Sequence, residues 1–391
     1  MSAPAEGPLA GLRIVEHCAF IAAPSATMTL AQLGAEVIRL DPPGGGLDSR
    51  RWPLAPSGTS LYWSMLNRGK ASVTLDLRKP ADAARAADLV CGGGPGGGIL
   101  VSNLPLPAPL RHDALRGRRP DVIVATLDGS PDGSSAIDYT VHAACGAAMM
   151  SGAEDINAPG INAVPFWDIV CGQTLATGLL AADRHRRLTG QGQHLQLSLS
   201  DVAMAWIANL GILAETELSG VARPRQGTWV YGSFGRDFAT SDGRRVMLVA
   251  VTVKQWRALL DATGLAERMS DLARAFGADL DREEERWRAR AGIAALIAEW
   301  TGSRSLAGIA EAFEGTAVCW APFRDTGQAL AEDWRMSPEN PLFERISHPG
   351  IPPVLTAANP LRLSGHPQAR PLRAPEPGGD TRRLLDPETG D

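Results

Sequence analysis

The chain opens with a strand, a helix and a second strand, an order that leaves few possible folds. Residues 12–16 (LRIVE) and 36–40 (EVIRL) have the apolar, β-branched composition of buried strands, and residues 24–33 between them form a helix that Gly34 ends. Two strands joined through a helix run parallel in one sheet, because the helix carries the chain back to the starting edge. The opening therefore predicts an α/β fold built on a parallel sheet.

Dinucleotide-binding domains begin with the same unit, so the turn after the first strand is informative. That turn, residues 19–24 (AFIAAP), lacks the G-x-G-x-x-G pattern whose glycines let the backbone approach a pyrophosphate. Asp41 ends the second strand where a ribose-binding acid would stand, but it has no glycine turn to act with. The sequence therefore disfavours an NAD-dependent enzyme.

The alternation of strands and helices continues and then changes near residue 223. The first part holds further strand patterns and helices, at residues 72–77, 80–90, 99–103, 121–127 and 201–218. The later part has strand patterns at 231–238 and 245–251, followed by charged helices. With 391 residues, the chain is long enough for two cores. We predict a large domain over residues 1–222, a smaller α+β domain over 223–325, and a return segment with a loose tail over 326–391.

Composition excludes several classes of protein. The net charge of −5, with scattered basic residues, gives no nucleic-acid footprint. The absence of a long apolar run and of a signal-peptide pattern predicts a protein of the cytoplasm and not of the membrane. The five cysteines and seven histidines are dispersed and form no ligand motif, so we expect neither disulfides nor a metal site.

Asp168 stands out at the start of a predicted helix over residues 169–188, which a strand at 194–200 follows. At the N-cap its carboxylate would accept hydrogen bonds from the first turn, and such residues are far more often caps than catalysts. Two features favour a functional role. The preceding Pro165, Phe166 and Trp167 would shield the carboxylate from water, and Gly172 would let a ligand approach the helix.

Several ordered motifs resemble one family. They are LRIVE with AQLGAEVIRLDPPGGG, the segment NRGKASVTLDLRKP, and ATGLLAADRHRRLTGQGQHLQLSLSDV, and the similarity extends over residues 9–364. The chain resembles the class III CoA-transferases, also named the CaiB/BaiF type. Within that family, the chain most resembles the enzymes that move CoA between the two carboxyl groups of 2-methylfumarate (mesaconate). The segments that carry this narrower resemblance are EHCAFIAAPSATM, PFWDIVCGQ and RPRQGTWVYGSFGRDF.

The resemblance implies a Rossmann-like large domain, a smaller α+β domain and an interlocked homodimer. It places the catalytic aspartate, which forms an aspartyl-CoA thioester, on Asp168. It also implies an acyl-CoA substrate with a dicarboxylate acyl group, and no cofactor beyond CoA. Candidates for the CoA phosphates are the following cations: Arg39, Lys70, Arg50 and Arg51. Arg39 and Lys70 are explained equally well as surface charges at strand ends that bind no ligand. An arginine among Arg223, Arg225 and Arg236 would hold the second carboxylate.

Alternatives within and outside the family remain open at this point. An intermolecular transferase, which moves CoA from a succinyl-type ester to a C4 or C5 diacid, would show the same nucleophile. Formyl-type transfer is disfavoured because Ile21 stands where some relatives have glutamine. A 2-methylacyl-CoA racemase needs a histidine where this chain has Ile137, and His142 is more readily explained as a packed side chain. A non-catalytic CoA-ester binding protein is the alternative from another class.

Overall fold

The computed structural model describes residues 7–154 and 158–386, and these form two compact units. Of the described residues, the first unit contains those up to Cys145, those of Asn162–Glu217 and those from Asp333 onward. The second takes Gly146–Ile161 and Leu218–Glu332. Residues 146–154 and 158–161, which the sequence assigns to the large domain, thus group with the second unit.

A parallel sheet is the centre of the first unit. Among the described residues it has six strands: β1 (Arg13–His17), β2 (Glu36–Asp41), β3 (Ala71–Thr74), β4 (Ile99–Ser102), β5 (Ile123–Asp128) and β6 (Gln193–Ser198). Their order is β3-β2-β1-β4-β5-β6, and every neighbouring pair is parallel. This is the strand order of a Rossmann fold. Strands are added toward one edge from β1 to β3 and toward the other edge from β4 to β6, so the order reverses between β1 and β4. The predicted α/β class and the parallel sheet are confirmed.

The α-helices connect these strands and build most of the second unit. In chain order they are α1 (Ala22–Gln32), α2 (Leu61–Leu66), α3 (Pro80–Cys91), α4 (His112–Arg118), α5 (Asp138–Ala144), α6 (Ala147–Met150), α7 (Phe166–Thr189), α8 (Leu199–Asn209), α9 (Ile212–Ser219), α10 (Val253–Thr263), α11 (Ala266–Phe276), α12 (Glu283–Arg288), α13 (Arg290–Gly302), α14 (Leu306–Phe313), α15 (Thr326–Glu332) and α16 (Thr381–Leu385). Among the helices that the structure describes, none combines the length and the apolar character needed to cross a bilayer.

Two of the predicted helices were wrong in their bounds. The segment predicted as one helix over residues 201–218 is divided into α8 and α9, because Gly211 between them has a φ of +75°. That left-handed conformation suits glycine and ends a right-handed helix. Helix α7 begins at Phe166, three residues earlier than predicted, with Pro165 at its N-cap.

Helix α7 packs closely against α1, and Gly172 makes the approach possible. A Cβ atom added at Gly172 would lie 2.6 Å from the Ala22 carbonyl oxygen and closer still to Ser25 Oγ. Gly172 is itself buried. It therefore serves the contact between the two helices, and the predicted role in admitting a ligand was wrong.

The remaining strands form two small antiparallel sheets. In the second unit, β7 (Phe234–Ala239), β8 (Arg245–Ala250) and β9 (Cys319–Pro322) pair in the order β7-β8-β9. Their apolar face packs on α10 and α13 around an aromatic core that includes Trp256, Trp300 and Phe234. In the first unit, β10 (Phe343–His348) and β11 (Ile351–Ala357) form a hairpin.

Candidate active site

A cavity of about 470 Å³ opens in the first unit at the carboxyl ends of the central strands. Phe20 and Ile21 follow β1, Asn103 follows β4, and Asp128 ends β5. These strands lie on both sides of the point where the strand order reverses, which is where open parallel sheets bind ligands. Asp168, from the first turn of α7, lines the same cavity. The fold thus brings the predicted nucleophile to the edge where a ligand is expected.

The loop after β1 is fixed by side chains that lie far from it in sequence. Asn103 clamps Ala19, because its side chain accepts from the Ala19 N–H and donates to the Ala19 carbonyl, both at 2.8 Å. The next residue, Phe20, has a φ of 67°, a left-handed conformation that an aromatic residue rarely adopts. Its N–H donates to Asp48 Oδ2 at 2.9 Å. These contacts hold the strained loop in one shape beside the cavity.

Asp168 is the third residue of α7, so the predicted N-cap position was wrong. The carboxylate that caps this helix belongs to Asp138, the first residue of α5. Asp138 Oδ2 accepts from the N–H of Trp167 at 2.6 Å and from the N–H of Asp168 at 3.1 Å. Because Asp138 satisfies these donors, the Asp168 carboxylate is available to the cavity. Sequence spacing gives no sign of this cap, since Asp138 precedes its partners by about 30 residues.

The surroundings of Asp168 make its carboxylate more basic than usual. Burial, followed by the negative charge of Asp138, raises the pKa of Asp168 to about 6, while the positive charge of Arg51 acts in the opposite direction. At pH 7, which lies above this pKa, the ionised form predominates. A carboxylate that is ionised and unusually basic is suited to nucleophilic attack.

Of the four predicted CoA-binding cations, Arg51 alone lines this cavity. Its guanidinium carbon lies 5.4 Å from the centre of the Phe20 ring and 4.9 Å from that of Tyr62. Arg50 points elsewhere and lines a separate cavity with Trp63 and Gly350. Tyr62 contributes a buried hydroxyl that finds no hydrogen-bond partner within the described part of the chain, and burial raises its pKa to about 12.

Arg39 and Lys70 are held in a buried ionic network below the β1 loop. Glu16 and Arg39 occupy paired positions on β1 and β2, and Glu16 Oε1 lies 3.3 Å from Arg39 Nη1 and 2.9 Å from Lys70 Nζ. Arg39 also contacts Asp41 at 2.8 Å and Asp48 at 3.3 Å. The side chains of Arg39 and Lys70 are only 1% and 0% exposed.

The interpretation of Arg39 and Lys70 as surface charges is therefore wrong. The phosphate-binding role of these two residues stays a prediction, and it would require the network to open, because buried ion pairs are costly to separate. In this conformation the network supports the site. Arg39 donates a hydrogen bond to Asp48, and Asp48 accepts one from the backbone N–H of Phe20.

A second cavity, of about 560 Å³, adjoins the first and shares Asn103, Leu127 and Asp128 with it. The exposed guanidinium of Arg111 lines it, together with His112 and His194, whose rings stack at 5.4 Å. No local sequence pattern marks Arg111 as a binding residue. Together the two cavities provide a groove that leads from Asp168 toward a cation.

His142 is a packed residue, as the sequence suggested. It is 3% exposed, and its Nδ1 accepts from the Trp167 indole N–H at 3.1 Å. Ile137, next to Asp138, is exposed on the cavity and cannot transfer a proton. Neither residue offers the base that a racemase requires. Within residues 7–154 and 158–386, no cluster of three or more acidic, histidine or cysteine side chains could hold a metal.

The other arginines considered for the second carboxylate lie in the second unit. Arg223 stacks over Tyr231 at 4.0 Å, and Arg236 stacks over Trp229 at 4.5 Å. Arg225 is in the same unit.

Known proteins resemble this chain along its whole length. It is 45% identical to 2-methylfumaryl-CoA isomerase from Chloroflexus aurantiacus, over 97% of this chain and 93% of the relative. It is 27% identical to succinyl-CoA:mesaconate CoA-transferase from Haloarcula marismortui, over 95% of this chain and 92% of the relative. The crystal structure of a CaiB/BaiF family protein from Brucella suis has the same fold, with a TM-score of 0.76 and 24% identity over 97% of this chain and all of the other.

The family profile agrees with these similarities and with the site. Residues 9–381, which include the sheet, α7 and the hairpin, match the profile of CoA-transferase family III. The matched range also contains Asp168 and the other residues that line its cavity. The chain belongs to CoA-transferase family III.

Proposed function

We propose that this protein catalyses intramolecular transfer of CoA between the C1 and C4 carboxyl groups of 2-methylfumarate. The observation that carries the proposal is the position of the Asp168 carboxylate in a cavity at the carboxyl edge of the sheet, where burial raises its pKa to about 6. The identity of 45% to a 2-methylfumaryl-CoA isomerase over nearly the whole chain supports this choice of substrate.

In the proposed mechanism Asp168 is the nucleophile. Its carboxylate attacks the C1 thioester carbonyl, and the tetrahedral intermediate expels CoA thiolate to leave a mixed anhydride between Asp168 and C1. The thiolate then attacks the aspartyl carbonyl of the anhydride. This step forms an aspartyl-CoA thioester and releases the C1 carboxylate of the diacid.

The second half repeats these steps at the other carboxyl group. The C4 carboxylate attacks the aspartyl-CoA thioester, which again gives an anhydride and CoA thiolate. Attack of the thiolate on C4 yields the C4 thioester and restores the Asp168 carboxylate. Each step exchanges one acyl bond for another, so it consumes neither a metal nor a redox equivalent. Hydrogen-bond donors near the reacting carbonyl would lower the barriers by stabilising the oxyanions.

The adjoining cavity is the place we assign to the polar part of CoA. Arg111 is exposed there and supplies a positive charge for a phosphate. The thioester end would then extend past Asn103, which both cavities share, to Asp168. Arg39 and Lys70 keep their predicted phosphate roles only if the buried network opens, and Arg50 keeps its role only if a phosphate reaches the separate cavity that it lines.

An assay with substrate alone tests the proposal. Purified protein is incubated with 2-methylfumaryl-CoA labelled at C1, without added acid, and the C1 and C4 thioesters are separated by chromatography. We expect interconversion in the wild type and none in Asp168→Ala. Exchange that appears only after a free dicarboxylate is supplied would contradict the intramolecular reaction and assign the intermolecular one. The aspartyl-CoA adduct would be visible by intact-protein mass spectrometry after rapid quenching.

The interlocked homodimer implied by the family forms part of the proposal. Light scattering coupled to size-exclusion chromatography measures the molar mass in solution, and a value near twice 41.3 kDa is expected.

A further inference from the structure

Arg51 is held in a fixed position at the active-site cavity. It lies in the segment between β2 and α2, and its guanidinium is placed over the rings of Phe20 and Tyr62. The backbone of Arg51 is also tied down, because its N–H donates to the Asp48 carbonyl at 3.1 Å and its own carbonyl accepts from Ser60 Oγ at 2.6 Å. Stacking on aromatic faces orients a guanidinium and leaves its edge, which carries the N–H donors, for a ligand.

The guanidinium of Arg51 forms no ion pair with a carboxylate of the described residues. Of the described residues that line the cavity, Arg51 alone is a cation, and no ion pair or side-chain hydrogen bond of its guanidinium occurs within the described chain. Asp138 is engaged with the start of α7. The charge of Arg51 nevertheless reaches the nucleophile, since it lowers the pKa of Asp168. A guanidinium that is oriented, uncommitted and close to the reacting carboxylate is a site for a second anionic group.

Building on the proposed function, we infer that Arg51 binds the carboxylate of the acyl group that is not being exchanged. The planar guanidinium matches a carboxylate with two parallel hydrogen bonds. It would thereby orient the acyl group, with the thioester carbonyl directed at Asp168. This assignment replaces the expectation that Arg51 contacts a CoA phosphate and that the second carboxylate is held by Arg223, Arg225 or Arg236.

One such cation is sufficient for both directions of the isomerisation. In a trans-dicarboxylate the two carboxyl groups lie at opposite ends of a short rigid chain. Whichever end reacts with Asp168, the other end can contact Arg51. After the first half-reaction the freed diacid must turn end for end, and the same guanidinium then holds the C1 carboxylate while C4 reacts. A CoA ester of a monocarboxylic acid would lack this contact in either orientation.

The test compares two substrates that differ only at the distal group. 2-Methylfumaryl-CoA with its thioester at C1 carries a carboxylate there, and 2-methylcrotonyl-CoA of the same geometry carries a methyl group. Both can acylate Asp168, so single-turnover formation of the aspartyl-CoA adduct is followed by mass spectrometry. Measurements at pH 8.5 keep Asp168 ionised in all variants. The proteins are the wild type, Arg51→Met, and Arg184→Met as a matched loss of charge.

Arg184 is a suitable control because it is exposed on α7, sixteen residues beyond Asp168, or about 24 Å along the helix. We expect the wild type and Arg184→Met to prefer the dicarboxylate ester by about 100-fold or more, since a site built to bind a polar group rejects analogues that lack it. Arg51→Met should react about 100-fold more slowly with that ester and within about threefold of wild type with the methyl ester. The preference therefore disappears.

Other outcomes overturn the inference and leave the proposed function intact. If Arg51→Met slows the reactions of both substrates equally, or if the variant keeps the preference for the dicarboxylate ester, Arg51 does not bind the carboxylate. If the preference is instead lost in Arg223→Met, Arg225→Met or Arg236→Met, the carboxylate is bound by the second unit. Failure of the wild type to isomerise the ester, with the Arg51-dependent preference preserved, would refute the intramolecular reaction but retain dicarboxylate recognition by Arg51.

Discussion

Replacement of Asp168 by asparagine should stabilise the fold, and the gain should grow with pH. The pKa of Asp168 rises from an ordinary value of 3.8 to about 6 on folding, chiefly through burial and then through the charge of Asp138. A carboxyl group whose pKa is raised in the folded state binds its proton more tightly there than in the unfolded chain. Ionisation of Asp168 therefore opposes folding, an effect that is absent below pH 3.8 and complete above pH 6.

The size of the effect follows from the shift. Roughly two pKa units at 1.36 kcal/mol each correspond to about 3 kcal/mol of lost stability at pH 8, and to about half of that at pH 5, where the folded form is mostly protonated. Asparagine has nearly the same shape and never ionises. The variant should thus be more stable than wild type by about 3 kcal/mol at pH 8 and by about 1.5 kcal/mol at pH 5.

Equilibrium unfolding in urea, at a fixed protein concentration and at pH 5 and pH 8, measures the difference. Asp261→Asn removes an exposed carboxylate on α10 and serves as the control for the change of charge. A difference between Asp168→Asn and wild type that is the same at both pH values, or that has the opposite sign, would refute the reasoning about the buried carboxylate. Loss of activity in a more stable protein is the pattern expected of a functional residue held in an unfavourable environment.

Three further substitutions test other parts of the structure. Asp138→Asn removes the charge that helps to raise the pKa of Asp168, so the acid limb of the rate–pH profile should move to lower pH, and an unmoved limb would contradict the electrostatic role. Glu16→Gln leaves buried cations undercompensated and should lower the free energy of unfolding by about 3–5 kcal/mol in urea titrations; a loss under 1 kcal/mol would mean that the cations find other partners. Gly172→Ala should lower it by about 1–3 kcal/mol because the methyl group meets the backbone of α1, whereas Gly117→Ala, with open space around it, should lose nothing by the same measurement.

Local patterns predicted the parallel sheet well, for a physical reason. Buried parallel strands are short apolar runs, and β4 and β5 have this form, while β1 and β2 keep the apolar pairs Ile14–Val15 and Val37–Ile38 beside their charged residues. The break between α8 and α9 was missed because apolar residues continue on both sides of Gly211, and periodicity does not report a backbone angle. The order of the strands is set by contacts between distant segments, which no local pattern contains.

The site shows the same division between local and long-range information. Asp168 could be found because the residues around it and the family motif both mark the start of a helix. Its partner Asp138 could not, because the two are joined only by the tertiary fold. Arg39 and Lys70 looked like surface charges because a charged residue is rarely buried alone. They are buried as members of a set, and that set is assembled across β1 and β2.

The carboxylate of Asp138 connects two properties that protein engineers usually treat separately. It anchors the beginning of α7, which concerns heat resistance, and it adjusts the basicity of Asp168, which concerns the working pH. Under the proposed mechanism, a screen that selects only for survival at high temperature and accepts changes at this residue will also move the pH optimum. Variants chosen for industrial conditions should therefore be ranked on both properties at once, because this one side chain does not allow them to be tuned independently.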